Sequence, residues 1–308
     1  AVCCPDPISL LSERSAPISH PDPTNATNGS GHYTKPRLDG AQVERYREQG
    51  YLLVNEPVFE RAKFQRLAAH FEGMLERWVE DPRMRSPEHM DTPHFMDPAL
   101  FEWLFDEAVL DLVEPIIGPD IAVFSSHFIC KPAETGKRVP WHEDSGYWRG
   151  RLEPMEVATV WLAIDPSTPE NGCMRVVTGT HRSGAAGFSD YDPVDNPDTQ
   201  VFANEIKRGQ FDASQAVDCV LQPNEASLHN GRLIHGSNPN TGSIRRCGYT
   251  MRYMPTTVKH LGRPDGKADG FEVYLARGKD RAGNTYGDPT QPNHAWLEAH
   301  KDGFPAGH

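Results

Sequence analysis

The chain reads as a mainly β protein, a β-sandwich or jelly roll braced by helices near its N-terminal end. Three features carry that reading. Helix-period apolar patterns stop at about Ile117, and from Ile121 onward apolar residues come in short strand-like runs. Turn pairs such as Asn171-Gly172, Asn230-Gly231 and Pro239-Asn240 separate many of those runs. The 27 prolines and 26 glycines also favour a turn-rich β architecture over a helical bundle. Helices first and strands later suit a layered domain with a sheet-built core.

Taken in order, residues 1–38 lack apolar periodicity and are rich in Pro, Ser, Asn and Gly, which predicts a mobile arm ahead of a single domain at 39–308. Ala41–Gln49 is polar and helix-friendly, stops at Gly50 and runs into the apolar strand Tyr51–Val54. Phe64, Leu67, Ala68, Phe71, Leu75 and Trp78 recur at helical spacing, so a helix is expected from about Glu60 to Val79. Another helical stretch, from about Pro98 through Ile117, breaks near Asp106 and ends at Gly118. Strands are expected at Ile121–Lys131, Met155–Ile164, Met174–Thr178, Val217–Leu221, Ala226–His229, Arg232–His235 and Arg246–Met254. The stretch from Arg182 to Ala216 is long, polar and loop-like, with Gly184 and Gly187 near its start, and reads as a lid. There is no internal repeat.

Charge and cysteine usage narrow the function classes. A net charge of -12 argues against nucleic acid or an anionic membrane as the main partner, and no apolar run approaches the length of a membrane span. The expected partner is a small molecule; a homo-oligomer is left open. Cys130, Cys173, Cys219 and Cys247 lie in or beside apolar strand-like runs, and no pair, Cys3 and Cys4 included, has zinc-type spacing. These read as reduced core thiols, and a cytoplasmic location follows as the expectation.

Chemistry concentrates in four residues. His142 and Asp144 stand in Trp-His-Glu-Asp, His235 in Leu-Ile-His-Gly-Ser, and Arg246 eleven residues later. Two histidines and one carboxylate are the ligand set of a facial triad, which holds non-haem Fe(II) and leaves positions open for substrate and oxygen. On a strand, residues two apart share a face, so His142 and Asp144 can point at one atom. Ser237 and the fork-shaped cation of Arg246 suit the far carboxylate of a dicarboxylate co-substrate. His127, Tyr147, Trp148 and Arg252 lie where they could orient a substrate.

The motifs also resemble those of a known family. Trp-His-Glu-Asp-Ser-Gly-Tyr-Trp, Val-Trp-Leu-Ala-Ile-Asp, Glu-Asn-Gly-Cys-Met-Arg-Val-Val-Thr-Gly-Thr-His-Arg and His-Gly-Ser-Asn-Pro-Asn with Arg246 look like the phytanoyl-CoA dioxygenase family. Tyr-Arg-Glu-Gln-Gly-Tyr-Leu-Leu-Val matches that family's opening helix and strand, so the resemblance covers roughly Leu38 to Pro255. It implies a double-stranded β-helix, a cupin-like jelly roll, with iron on His142, Asp144 and His235. It further implies that Arg246 and Ser237 bind 2-oxoglutarate, and that O2 is consumed with release of succinate and CO2. Trp148 matches an aromatic of the substrate pocket in the family's ectoine hydroxylases, but their longer motif is not reproduced, which disfavours ectoine. Related halogenases replace the carboxylate ligand with a small residue; Asp144 is kept here, which favours hydroxylation or another C–H oxidation.

Two alternatives stand beside this reading. A cupin-type metal enzyme without a keto acid would need the triad but not Arg246 and Ser237. A non-catalytic jelly-roll binding protein would need neither. The absence of a dense Lys/Arg cluster for CoA phosphates favours a small or medium free metabolite as substrate.

Overall fold

The structure is a computed structural model that describes residues 33–303 apart from 83, 85 and 184–188. The expected arm at 1–38 and the glycines of the expected lid therefore lie largely outside the described residues. Contacts divide the chain between Thr34 and Lys35, and the larger unit begins there. Lys35 pairs with Asp111 at 2.6 Å and Leu38 packs on the core, so the last residues ahead of Asp39 are docked.

Helix α1 (Gly40–Gln49) is set by a capping box, in which the Asp39 and Gln42 side chains each accept from the other's backbone N–H. Gly50 ends it with φ 83°, a left-handed conformation that glycine adopts without strain. Strand β1 (Tyr51–Val54) follows. Helix α2 (Arg61–Glu80) buries Leu67, Phe71, Met74 and Trp78 on one stripe, and each such side chain contributes about 1.5–3 kcal/mol. Short elements β2 (Met90–Asp91), α3 (Pro93–Met96) and α4 (Phe101–Leu104) lead to α5 (Glu107–Ile117), where Asp106 breaks the stretch by capping the Ala108 N–H.

The strand region forms two facing antiparallel sheets and two small strand pairs, one of the fifth and fourteenth strands and one of the eighth and ninth. It comprises β3 (Ile121–Lys131), β4 (Val139–His142), the four-residue helix α6 (Asp144–Tyr147), β5 (Leu152–Glu153), β6 (Ala158–Ala163), β7 (Met174–Val177), β8 (Tyr191–Pro193), β9 (Asn204–Ile206), β10 (Ala216–Asp218), β11 (Ala226–Asn230), β12 (His235–Ser237), β13 (Arg246–Pro255), β14 (Lys259–His260) and β15 (Tyr274–Arg277), with α7 (His294–Ala299) last. The larger sheet runs β1-β11-β6-β13-β3-β15 with β2 on β3, and the smaller runs β10-β7-β12-β4. This is the mainly β jelly roll with N-terminal helices expected from the sequence.

Strand alternation gives the larger sheet two different faces. Phe128, Tyr249, Met251, Tyr253, Val160, Leu162 and Leu228 belong to the main core with Leu67, Phe71 and Val113 of the covering helices. The other face, toward the smaller sheet, carries Ile129, Trp161, His229, Arg246, Thr250 and Arg252, which line a cavity. Long fully buried strands thus hide a polar interior wall behind an apolar exterior one.

Several expected elements are corrected. Arg232, Leu233 and Ile234 form a turn, not a strand, because Asn230 accepts the Arg232 N–H through its side chain and the Leu233 N–H through its carbonyl. The strand expected at Met155–Ile164 is reduced to β6, and of that expected at Val217–Leu221 only Val217 and Asp218 are strand, within β10. Arg182–Ala216 is not a bare loop, since β8 and β9 pair within it and Glu205 is held by Arg138. The tail after Pro255 supplies the edge strand β15 and the buried Trp296 of α7. Among the described residues no helix is long and apolar enough to cross a membrane.

Candidate metal centre

Three elements carry His142, Asp144 and His235 to one point. β12 pairs with β4 so that His235 and His142 are direct cross-strand partners. Each histidine places Nδ1 2.8 Å from the carbonyl two residues earlier, Pro140 O for His142 and Leu233 O for His235. A carbonyl only accepts, so Nδ1 carries the proton and Nε2 presents its lone pair to the site. The expectation that Asp144 continues the strand is corrected: β4 ends at His142, Glu143 is still extended, and Asp144 opens α6. The extended Glu143 preserves the alternation that puts residues 142 and 144 on one side. Tyr191 of β8 fixes this corner, its hydroxyl accepting from Glu143 N at 3.0 Å and donating to Glu143 O at 3.2 Å.

The geometry fits a cation. All three side chains are buried, and one donor atom from each lies within 4.8 Å of the others. Asp144 Oδ1 is 3.6 Å from His142 Nε2 and 4.0 Å from His235 Nε2. Cis donors on a metal with ~2.1 Å bonds stand roughly 3 Å apart, so a modest contraction closes the set on an ion. Burial raises the Asp144 carboxyl, but its charged and hydrogen-bonding neighbours, the Arg252 guanidinium first among them, outweigh it and hold the group well below the usual range. Burial, then the neighbouring His142, pushes the His235 imidazole well below its ordinary range and keeps it neutral. An ionised carboxylate and a neutral imidazole are the ligand states a divalent metal needs.

A second cluster lies beside it. Arg246 is buried, its Nε and Nη2 donate to Gly172 O at 3.0 and 2.5 Å, and its guanidinium sits 5.3 Å from the Trp161 ring centroid. Gly172 has φ 77°, and a Cβ there would stand 2.5 Å from Asn238 O, so glycine is required to present that carbonyl. Directly opposite Arg246 on β3 is Lys131, which the sequence reading passed over. Its Nζ donates to Ser237 Oγ at 2.7 Å and to Asn238 O at 2.5 Å. Burial, then the charge of Arg246, holds the Lys131 ammonium well below its ordinary value, and burial lowers Arg246 to about 10. Among the described residues neither Lys131 nor Arg246 has an ion-pair partner, and Arg246 lines the cavity with Lys131 paired beside it across the strands.

The triad, Ser237, Arg246 and Arg252 line one narrow cavity of about 40 Å³, with Phe202, Trp161, Val139, Met174, Ile129 and His229 among its other walls. The remaining residues singled out in the sequence lie elsewhere. Trp148 is packed in a small core against Phe124, with Arg252 over its ring. Tyr147 sits behind His142, its ring centroid 5.9 Å away. His127 is bonded through Nε2 to Glu88 O at 3.0 Å and faces Asp91. Phe202 had no spacing signal, because its ring neighbour His142 is remote in the chain, and His229, 4.9 Å ring to ring from His235, belongs to no motif of its own.

The sequence profile of the family described as phytanoyl-CoA dioxygenase (PhyH) matches residues 46–248. A phytanoyl-CoA dioxygenase domain-containing protein 1 homolog of Caenorhabditis elegans is 29% identical over 163 residues, 52% of this chain and 56% of that protein. A probable alpha-ketoglutarate-dependent hypophosphite dioxygenase of Stutzerimonas stutzeri is 27% identical over 167 residues, 51% of this chain and 53% of that one. The chain thus spans about half the length of these relatives. Among solved structures, the apo form of the non-heme monooxygenase ThoJ superposes with a TM-score of 0.65 at 24% identity, covering 84% of this chain and 92% of that one. At that identity the likeness speaks to the fold.

Proposed function

Because this chain belongs to the phytanoyl-CoA dioxygenase family, we propose that it is an Fe(II)- and 2-oxoglutarate-dependent oxygenase acting on a small or medium metabolite. The observation that carries the reading is the buried His142–Asp144–His235 set sharing one cavity with Ser237 and Arg246, behind which Lys131 is bonded to Ser237. His142, Asp144 and His235 would hold the iron, and the donor types and protonation states fit it. Iron bound there supplies the redox chemistry by which O2, 2-oxoglutarate and a substrate C–H bond become succinate, CO2 and a hydroxylated product.

The chain's own residues do the rest. Arg246 and Lys131 bind the distal carboxylate of the keto acid, with Ser237 between them and the metal ligands. The Nδ1 bonds of His142 and His235 fix both rings, and Tyr191 fixes the turn that carries Asp144. Phe202, Val139, Met174 and Trp161 keep water from the reacting centre. The single domain read from the sequence at 39–308 contains every one of these groups.

Purified chain with Fe(II) and 2-oxoglutarate in air is expected to form succinate, and candidate substrates to raise that rate. His142→Ala, Asp144→Ala and His235→Ala are each expected to abolish it. Succinate formation that persists in all three would exclude the triad.

A further inference from the structure

The two oxygens of Asp144 face different neighbours. Oδ1 looks toward the ligand nitrogens of His142 and His235. Oδ2 points away from them, accepting from Arg252 Nε at 3.3 Å and lying 3.9 Å from His229 Nε2. Arg252 is itself held in place: its guanidinium sits 5.3 Å from the Trp148 ring centroid, and its Nη1 donates to Ser125 Oγ at 3.4 Å. His229 is fully buried on β11, and neither ring nitrogen has a hydrogen-bond partner among the described residues. A buried imidazole without partners is rare, and the closest charged acceptor given for this one is Oδ2.

We propose that Arg252 and His229 are positioning residues that clamp Oδ2, so that Asp144 offers Oδ1 alone to a divalent ion. This rests on the reading of the triad as a metal site. A carboxylate free to swing can ligate through both oxygens and would take a position that co-substrate or dioxygen needs. The Arg252 hydrogen bond on Oδ2, with the His229 ring packed close behind it, removes that freedom. The arrangement also explains why a buried arginine and a buried histidine flank Thr159 on one interior wall: both face one carboxylate oxygen. Arg252, named in the sequence as a residue that could orient substrate, thereby acts through the metal ligand.

Co(II) titrated into the full chain tests the clamp without turnover, by affinity and by the ligand-field absorption of the bound ion. Outer-sphere partners of metal ligands carry ~10–100-fold of affinity, so Arg252→Met is expected to weaken Co(II) binding by that order and to alter the spectrum. Arg252→Lys restores a donor and is expected to recover part of both. His229→Phe is expected to shift both in the same direction by a smaller factor, because its contact is longer. A folded Arg252→Met chain with the wild-type affinity and spectrum overturns the clamp; if that variant does not fold, unchanged behaviour in Arg252→Lys and His229→Phe together does so. Failure of the wild-type chain to bind Co(II) removes instead the underlying reading of the triad.

Discussion

At Lys131 and Arg246 neighbouring strands bring two cations together inside the protein, and that arrangement is costly unless an anion shares it. Lys131→Met is therefore expected to raise the 2-oxoglutarate requirement roughly 10- to 100-fold, the range of a lost charge-assisted hydrogen bond. The sign of the pH effect follows from the direction of the Lys131 shift. Its folded pKa lies below the ordinary 10.5, so the stability of the free chain falls as pH drops from 10.5 toward the lowered pKa, where the folded state must accept a buried charge. Above the lowered pKa the ammonium is lost and 2-oxoglutarate binds more weakly, a pH slope that Lys131→Met is expected to remove. Arg245, next in the chain, points to the opposite face, where it grips Asp165 and Glu72 with both ends of its guanidinium. Arg245→Ala is expected to cost about 1–2 kcal/mol in unfolding and leave the keto-acid requirement unchanged, whereas Arg246→Ala raises that requirement sharply. The triad and Arg246 were legible because residue type and spacing coincide there. Lys131 and His229 were not, because a lone buried Lys or His gains meaning only from its partners in the fold, Ser237 and Asn238 more than a hundred residues away in one case and Asp144 in the other.

Among the elements, the β8–β9 hairpin is the piece whose role differs most from its appearance in the sequence. Most of its residues are polar and exposed, which read as loop, but it delivers Tyr191 to the Glu143 corner and Phe202 to within 4.9 Å, ring to ring, of His142. Val201 O adds a bond to His89 Nε2 at 2.8 Å. Replacing the hairpin by a short turn is expected to leave 2-oxoglutarate consumption running while product formed per succinate drops below one, as water reaches the centre. Full coupling in a folded, shortened chain would leave the hairpin without a role in the site. Elements with strong local signals, such as α1 with its capping box and α2 with its apolar stripe, fall where the sequence placed them. The four-residue α6 and the turn before β12 do not, because side-chain bonds from Asn230 and the fold around Glu143 override a weak local preference.

For the whole molecule, the two-sheet architecture exists to hold a polar, charged interior between an apolar exterior layer and the smaller sheet. The triad joins β4 and β12 of the smaller sheet to α6, and Arg252 ties that corner to the larger one. An ion bound to the native state alone then raises stability by about 2.7 kcal/mol at a concentration a hundred times Kd. Thermal unfolding with Mn(II) is expected to show this gain in the wild-type chain and to lose it in Asp144→Ala. The jelly roll was legible from alternating apolar runs and turn pairs. The contribution of the C-terminal tail was not, because β15 and α7 are short and take their place from contacts with β3 and Phe95. The most direct measurement of the central claim is iron-edge anomalous diffraction from crystals grown without oxygen in Fe(II) and 2-oxoglutarate. One peak is expected between His142 Nε2, His235 Nε2 and Asp144 Oδ1, with the keto acid's distal carboxylate on Arg246 and Lys131. A peak elsewhere, or a keto acid bound away from both cations, would contradict it.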